Sequence, residues 1–184
     1  IGAGMSGILA GIRLQEEGLV RVLPRRGVVI LAISPDDMAE IYEATIALEA
    51  ASAELLACRP AGARDALAAE LDRVNDGMEA ALAAGDLAAW AEADGRFHQL
   101  LVERTGNGRL ARMAATMQDQ SHRARMLTVR LRPRPVASVQ DHRAIVAAIR
   151  RGDAAQARAL AQRHRAAARD MLLPLLAQMG MRHL

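Results

Sequence analysis

Residues 87–101 read LAAWAEADGRFHQLL. Leu87, Trp90, Ala91, Phe97 and Leu101 recur at the i, i+3, i+4, i+7 spacing of a helix face turned towards a core. Asp94 and His98 stand in the same stripe. Four positions apart, they differ by about 40° around the helix axis and stack one turn above the other. The segment is therefore a core helix that carries a carboxylate and an imidazole on its apolar side, close enough together to bind one atom.

The punctuation on either side of this helix repeats along the chain. Asp86 precedes it as a helix N-cap and Gly106-Asn107-Gly108 follows it, with Pro60, Pro133-Arg134-Pro135 and Gly152-Asp153 as further breaks. Ser34-Pro35-Asp36-Asp37 opens the series, with Ser as N-cap, Pro at the first helical position and acids facing the helix dipole. The spacing predicts helices at 35–58, 61–84, 86–104, 108–128, 136–151 and 153–178. Short connections between six long helices imply an all-α, antiparallel six-helix bundle whose sites are built by side chains projecting inward. Upstream, Ile8 to Glu17 reads as a short helix stopped by Gly18. Val20–Leu23 and Val28–Ile33 flank Pro24-Arg25-Arg26-Gly27 and read as a small ββ wing. The chain thus divides into residues 1–33 and a helical domain over 34–180.

Composition agrees with a helical core. In 184 residues there are about forty alanines but one Trp, one Tyr and one Phe, so the core is aliphatic and all-β folds are excluded. All 24 basic residues are arginine, opposed by 21 acids. The pI of 10.2 therefore reflects side chains that never titrate rather than a large positive charge, and the net +3 is no argument for nucleic acid. The charge is nonetheless segregated: residues 31–100 carry four Arg and fourteen acids, residues 101–184 sixteen Arg and five acids. Opposed faces of one bundle attracting each other account for this more simply than an anionic partner. Cys58 stands alone, which excludes an internal disulfide and a thiolate metal site. Apolar stretches end well short of the roughly 20 residues of a membrane span, and no signal segment opens the chain, so a soluble, cytoplasmic protein without membrane contact is expected.

Two further helices repeat the anomaly of residues 87–101. Val139, His142, Val146 and Ile149 form the stripe of the fifth, and Ala157, Leu160, Ala161, His164, Ala168, Met171 and Leu175 that of the sixth. His122 lies off the stripe of the fourth helix and His183 lies in the tail, so both read as bystanders. Any single histidine on a core face is ordinarily a hydrogen-bonded core residue. A carboxylate and three imidazoles pointing inward from three helices would cost several kcal/mol to desolvate unless paired, and a divalent cation removes that cost. Asp94, His98, His142 and His164 are the expected ligands. The donor set suits zinc first, and also nickel, manganese or iron, and an octahedral ion would keep two positions open.

These motifs, taken in order, resemble the FCD ligand-binding domain of the FadR subgroup of GntR-family bacterial transcription regulators. Tyr42 with Leu48-Glu49 resembles the family's first sensor helix. Asp94-Gly-Arg-Phe97-His98 followed by Asn107 resembles its Asp-x-x-x-His then Asn signature, and Asp141-His142-Arg-Ala-Ile145 its acidic-His-x-x-Ile motif, with Gly152-Asp153 through His164 completing it. The resemblance implies that Asp94, His98, His142 and His164 bind a metal that helps to hold a small carboxylate effector. Arg123 and Arg125 on the fourth helix are candidates for a second, charge-assisted contact to that acid. Thr45 stands where the family often has an effector-contacting Arg. Ala10 to Val20 resembles the end of a recognition helix and Arg25-Arg26-Gly27 a wing, an incomplete winged helix-turn-helix in which Arg25 and Arg26 would meet DNA phosphates or the minor groove, with Arg13 a further DNA contact. The function implied is that of an effector-responsive, homodimeric regulator of operator DNA, and not an enzyme. A metal-dependent enzyme is the alternative, but Glu92 and Glu103 fall off the inward stripe and no nucleophile motif, phosphate loop or dinucleotide fingerprint is present. A sensor or dimerisation module without DNA binding is the other.

Overall fold

The computed structural model describes residues 20–23, 27–30 and 34–179. The helix expected over Ile8–Glu17, together with Arg13, Arg25, Arg26 and His183, lies outside the described residues. Strands β1 (Val20–Leu23) and β2 (Gly27–Ile30) pair antiparallel, with Val20 opposite Ile30 and Leu23 opposite Gly27. Gly27 takes φ +104°, a value open to glycine and strained for other residues, where the chain re-enters the hairpin.

Six helices follow: α1 (Pro35–Ala57), α2 (Ala61–Ala84), α3 (Leu87–Glu103), α4 (Gly108–Thr128), α5 (Val136–Arg151) and α6 (Ala154–Gln178). Their ends are set by the residues that mark them in the sequence. Ser34 Oγ accepts from Asp37 N at 3.1 Å, Asp86 from Ala89 N at 2.9 Å and Asp153 from Gln156 N at 3.0 Å, each filling an otherwise unmade helix N-terminal bond. Asn107 caps α4 through Arg109 N and Leu110 N. Gly85 and Gly152 close α2 and α5 in the left-handed conformation, at φ +72° and +74°.

The longest packing seam runs between α1 and α6, while α2 lies against α3 and α5, and α3 against α4. Two apolar clusters result. The larger gathers Leu56, Leu71, Met78, Trp90, Phe97, Leu101, Ile145 and Ile149; the smaller gathers Met38, Ile41, Tyr42, Ala124, Leu172 and Leu176. A cavity of about 270 Å³ is lined by Trp90 from the first and Tyr42 from the second, and Asp94, His98 and His164 open onto it. No helix among the described residues is long and apolar enough to cross a membrane.

Candidate metal centre

All four expected ligands are buried: Asp94 and His98 on successive turns of α3, His142 on α5 and His164 on α6. The three Nε2 atoms converge. His142 Nε2 stands 3.0 Å from His164 Nε2, which stands 3.4 Å from His98 Nε2. The Asp94 carboxylate closes the group, with Oδ2 3.7 Å from His98 Nε2 and Oδ1 3.8 Å from His142 Nε2.

What lies behind the rings fixes which nitrogen faces the centre. Glu49 on α1 meets His98 Nδ1 at 2.8 Å, and Asp141 meets His164 Nδ1 at 3.3 Å. A carboxylate can only accept, so each Nδ1 carries the proton and, in the neutral ring, each Nε2 presents a lone pair inward. His98 is held neutral: burial, with help from Arg165, outweighs Glu49 and Asp94 and brings its pKa down to about 4. Phe97 stacks on His142 with ring centroids 3.8 Å apart and sets its plane, whereas His142 Nδ1 is buried without a hydrogen-bond partner.

Glu49 is fixed in turn. Arg165 grips it through Nε at 2.8 Å and Nη2 at 2.5 Å. Burial pushes the Glu49 carboxyl up, but Arg165 and His98 together bring it down to about 2. Asp94 receives Arg125 Nε at 3.0 Å and the Ser138 hydroxyl at 3.3 Å. Burial raises its pKa too, yet Arg125, His98 and His142 hold it well below the usual carboxylate range.

This donor set fits a divalent cation. Two Nε2 lone pairs and an ionised carboxylate face one another, and among the three rings only a His142-to-His164 hydrogen bond can relieve the crowding of acceptors. Nitrogens bound to one metal at about 2.1 Å stand about 3.0 Å apart at an octahedral right angle and about 3.4 Å apart in a tetrahedron. The observed 3.0 and 3.4 Å span that interval.

The other expected residues separate. Arg125 lines the cavity; Arg123 is half-buried and outside its lining. Thr45 is buried, with Oγ1 lacking a hydrogen-bond partner, and does not line the cavity either. His122 pairs with Glu92 at 3.3 Å, away from the three converging imidazoles. Sequence reasoning did not assign roles to Glu49, Asp141, Arg165 or Arg132. Glu49 carried a usable signal, since an acid on the Ile41, Tyr42, Thr45, Ala53 face of α1 is the same anomaly that marks Asp94.

Residues 40–167, which span most of this helical bundle, match the FCD domain model. The chain belongs to that family. It is 52% identical over 90 residues to an HTH-type transcriptional regulator of Agrobacterium vitis, covering 49% of this chain and 53% of that protein. A second HTH-type regulator, from an unstable DNA locus of Streptomyces ambofaciens, is 30% identical over 155 residues, covering 83% of this chain and 63% of the relative. The chain therefore spans between half and two thirds of the length of these curated relatives. The fold is similar to that of E. coli McbR/YncC, with a TM-score of 0.78 at 15% identity, covering 97% of this chain and 87% of that one.

Proposed function

We propose that this chain is the sensing part of a transcription regulator, in which Asp94, His98, His142 and His164 hold a divalent cation, zinc foremost, and the adjoining cavity takes a small organic acid. The observation that carries this reading is the convergence of three Nε2 atoms within 3.4 Å contacts while carboxylates occupy two of the Nδ1 positions behind them. When bound, such an ion supplies a Lewis-acidic centre with open positions for a carboxylate. The chain's own part is to orient the imidazoles through Glu49 and Asp141, to keep Asp94 ionised through Arg125, and to enclose the acid between Tyr42 and Trp90.

The output is DNA binding by a homodimer, through a winged helix of which Arg13, Arg25 and Arg26 are candidate phosphate contacts. The names of the relatives support a regulator rather than an enzyme. Metal analysis of the purified protein beside His98→Ala and His164→Ala tests the centre: metal content near one ion per chain should fall sharply in both variants. Unchanged content in both would discard it. Coupling to DNA is tested by linkage, because an acid that weakens operator binding must itself be weakened by operator to the same factor.

A further inference from the structure

Arg132 lies in the connection between α4 and α5 and lines the same cavity as Asp94, His98 and His164. Its Nε and Nη2 atoms are buried and have no hydrogen-bond partner among the described residues. Its guanidinium carbon sits 4.9 Å from the centroid of the buried Trp90 ring, and Trp90 Nε1 is likewise buried without a partner. Three donor nitrogens with no acceptor among the described residues therefore belong to two neighbouring side chains of one cavity.

Nε and Nη2 form the edge of a guanidinium that matches the two oxygens of a carboxylate. Three other arginines of this molecule use that edge in that way. Arg165 holds Glu49 at 2.8 and 2.5 Å, Arg104 holds Glu70 at 2.8 and 2.6 Å, and Arg143 holds Glu79 at 3.0 and 2.9 Å. Within the cavity, Arg125 and Arg165 already have carboxylates in Asp94 and Glu49. Arg132 has none among the described residues, and burial together with the neighbouring Arg125 charge disfavours its cationic form, a cost that a bound anion removes.

We propose that Arg132 and Trp90 form a second anion subsite, so that the effector is a compact dicarboxylic acid with one carboxylate directed to the Asp94 and histidine centre and the other on the Arg132 edge. This rests on the reading of the cavity as an effector site. A volume of about 270 Å³ is at the small end for ligand pockets and suits a short diacid.

The test is calorimetric titration of the metal-loaded full chain with three matched pairs: malonate and propionate, succinate and butyrate, glutarate and pentanoate. At least one diacid should bind about tenfold or more tightly than its monoacid, the scale expected of hydrogen bonds to a buried charge. Arg132→Gln should bring that diacid to within about threefold of the monoacid and leave the monoacid unchanged. Arg132→Lys keeps the charge and stem but not the fork, and should lose most of the preference. It also serves if the glutamine variant fails to fold. Trp90→Phe keeps the ring, removes Nε1–H and should weaken the diacid several-fold. Equal binding of every pair by the unsubstituted protein, or a preference that survives both Arg132 variants, overturns the proposal. Acid binding that persists after chelation of the metal would strike the reading of the metal centre instead, and the comparison of pairs would still decide Arg132. Binding of no acid overturns both.

Discussion

At the scale of single residues, the centre depends on side chains that never face it. Glu49 holds the proton of His98 on Nδ1 and neutralises Arg165, and all three are buried. Glu49→Gln can turn its amide NH₂ towards Nδ1, which would drive the His98 proton to Nε2 and aim it at the ion. Metal affinity is expected to fall by about 10–100-fold, read by competition with a chelating dye. Unchanged affinity would show that Glu49 does not position His98. Glu49→Ala leaves Arg165 charged, buried and without this partner, and should lower the stability of the metal-free protein by about 3–5 kcal/mol in denaturant titration. The four inward polar residues were legible because each breaks an apolar stripe of known period. Arg165 and Arg132 were not: a helical arginine one position past His164, or one in a Pro-rich connection, has the same appearance in sequence as a solvated one. Only the tertiary fold shows that Glu49 meets the first and Trp90 the second.

At the scale of elements, the helices begin and end where the capping chemistry requires. The predicted bounds differ from those observed by at most one residue at any end, because the side chains of Ser34, Asp86 and Asp153 accept from first-turn N–H groups and Gly85 and Gly152 take the left-handed stop. The second strand was expected over Val28–Ile33; it begins one residue earlier, at Gly27, which pairs with Leu23, and residues 31–33 lie outside the described residues. The two glycine stops are not equivalent. A Cβ at Gly85 would meet nothing within 4 Å, whereas one at Gly152 would come within 3.0 Å of Arg64 Cζ. That guanidinium is tethered, donating to the carbonyls of Arg59 at 2.6 Å and Arg150 at 3.2 Å. Gly85→Ala should therefore cost about 1–2 kcal/mol, the strain of the left-handed backbone alone, and Gly152→Ala measurably more. Equal losses in thermal or denaturant unfolding would show that Arg64 yields without resistance.

At the scale of the whole molecule, the segregated charge becomes contact between α2 and α5. Arg143 reaches Asp76 and Glu79, and Arg150 reaches Asp72, so part of the acidic middle of the chain lies against its basic C-terminal half. Composition shows the imbalance, but only the order of packing shows which faces meet. These exposed pairs contribute little individually. A bound cation would be a stronger tie between distant parts of the chain, joining α3, α5 and α6 through side chains separated by up to seventy positions. An ion that binds the folded state and not the unfolded one stabilises it by about 3 kcal/mol at a hundredfold excess over its dissociation constant. Chelated protein should accordingly melt at a lower temperature than protein in excess zinc. Its amide hydrogen exchange should quicken around His142 and His164 while the Leu71–Leu82 stretch of α2, anchored in the larger apolar cluster, changes little. His98→Ala should melt at one temperature with or without zinc. If the unsubstituted protein also shows no zinc dependence, the converging imidazoles are a hydrogen-bonded core and not a ligand set. If exchange quickens evenly through α2 as well, the centre supports the bundle as a whole, and an acid bound beside it would have no distinct element to move.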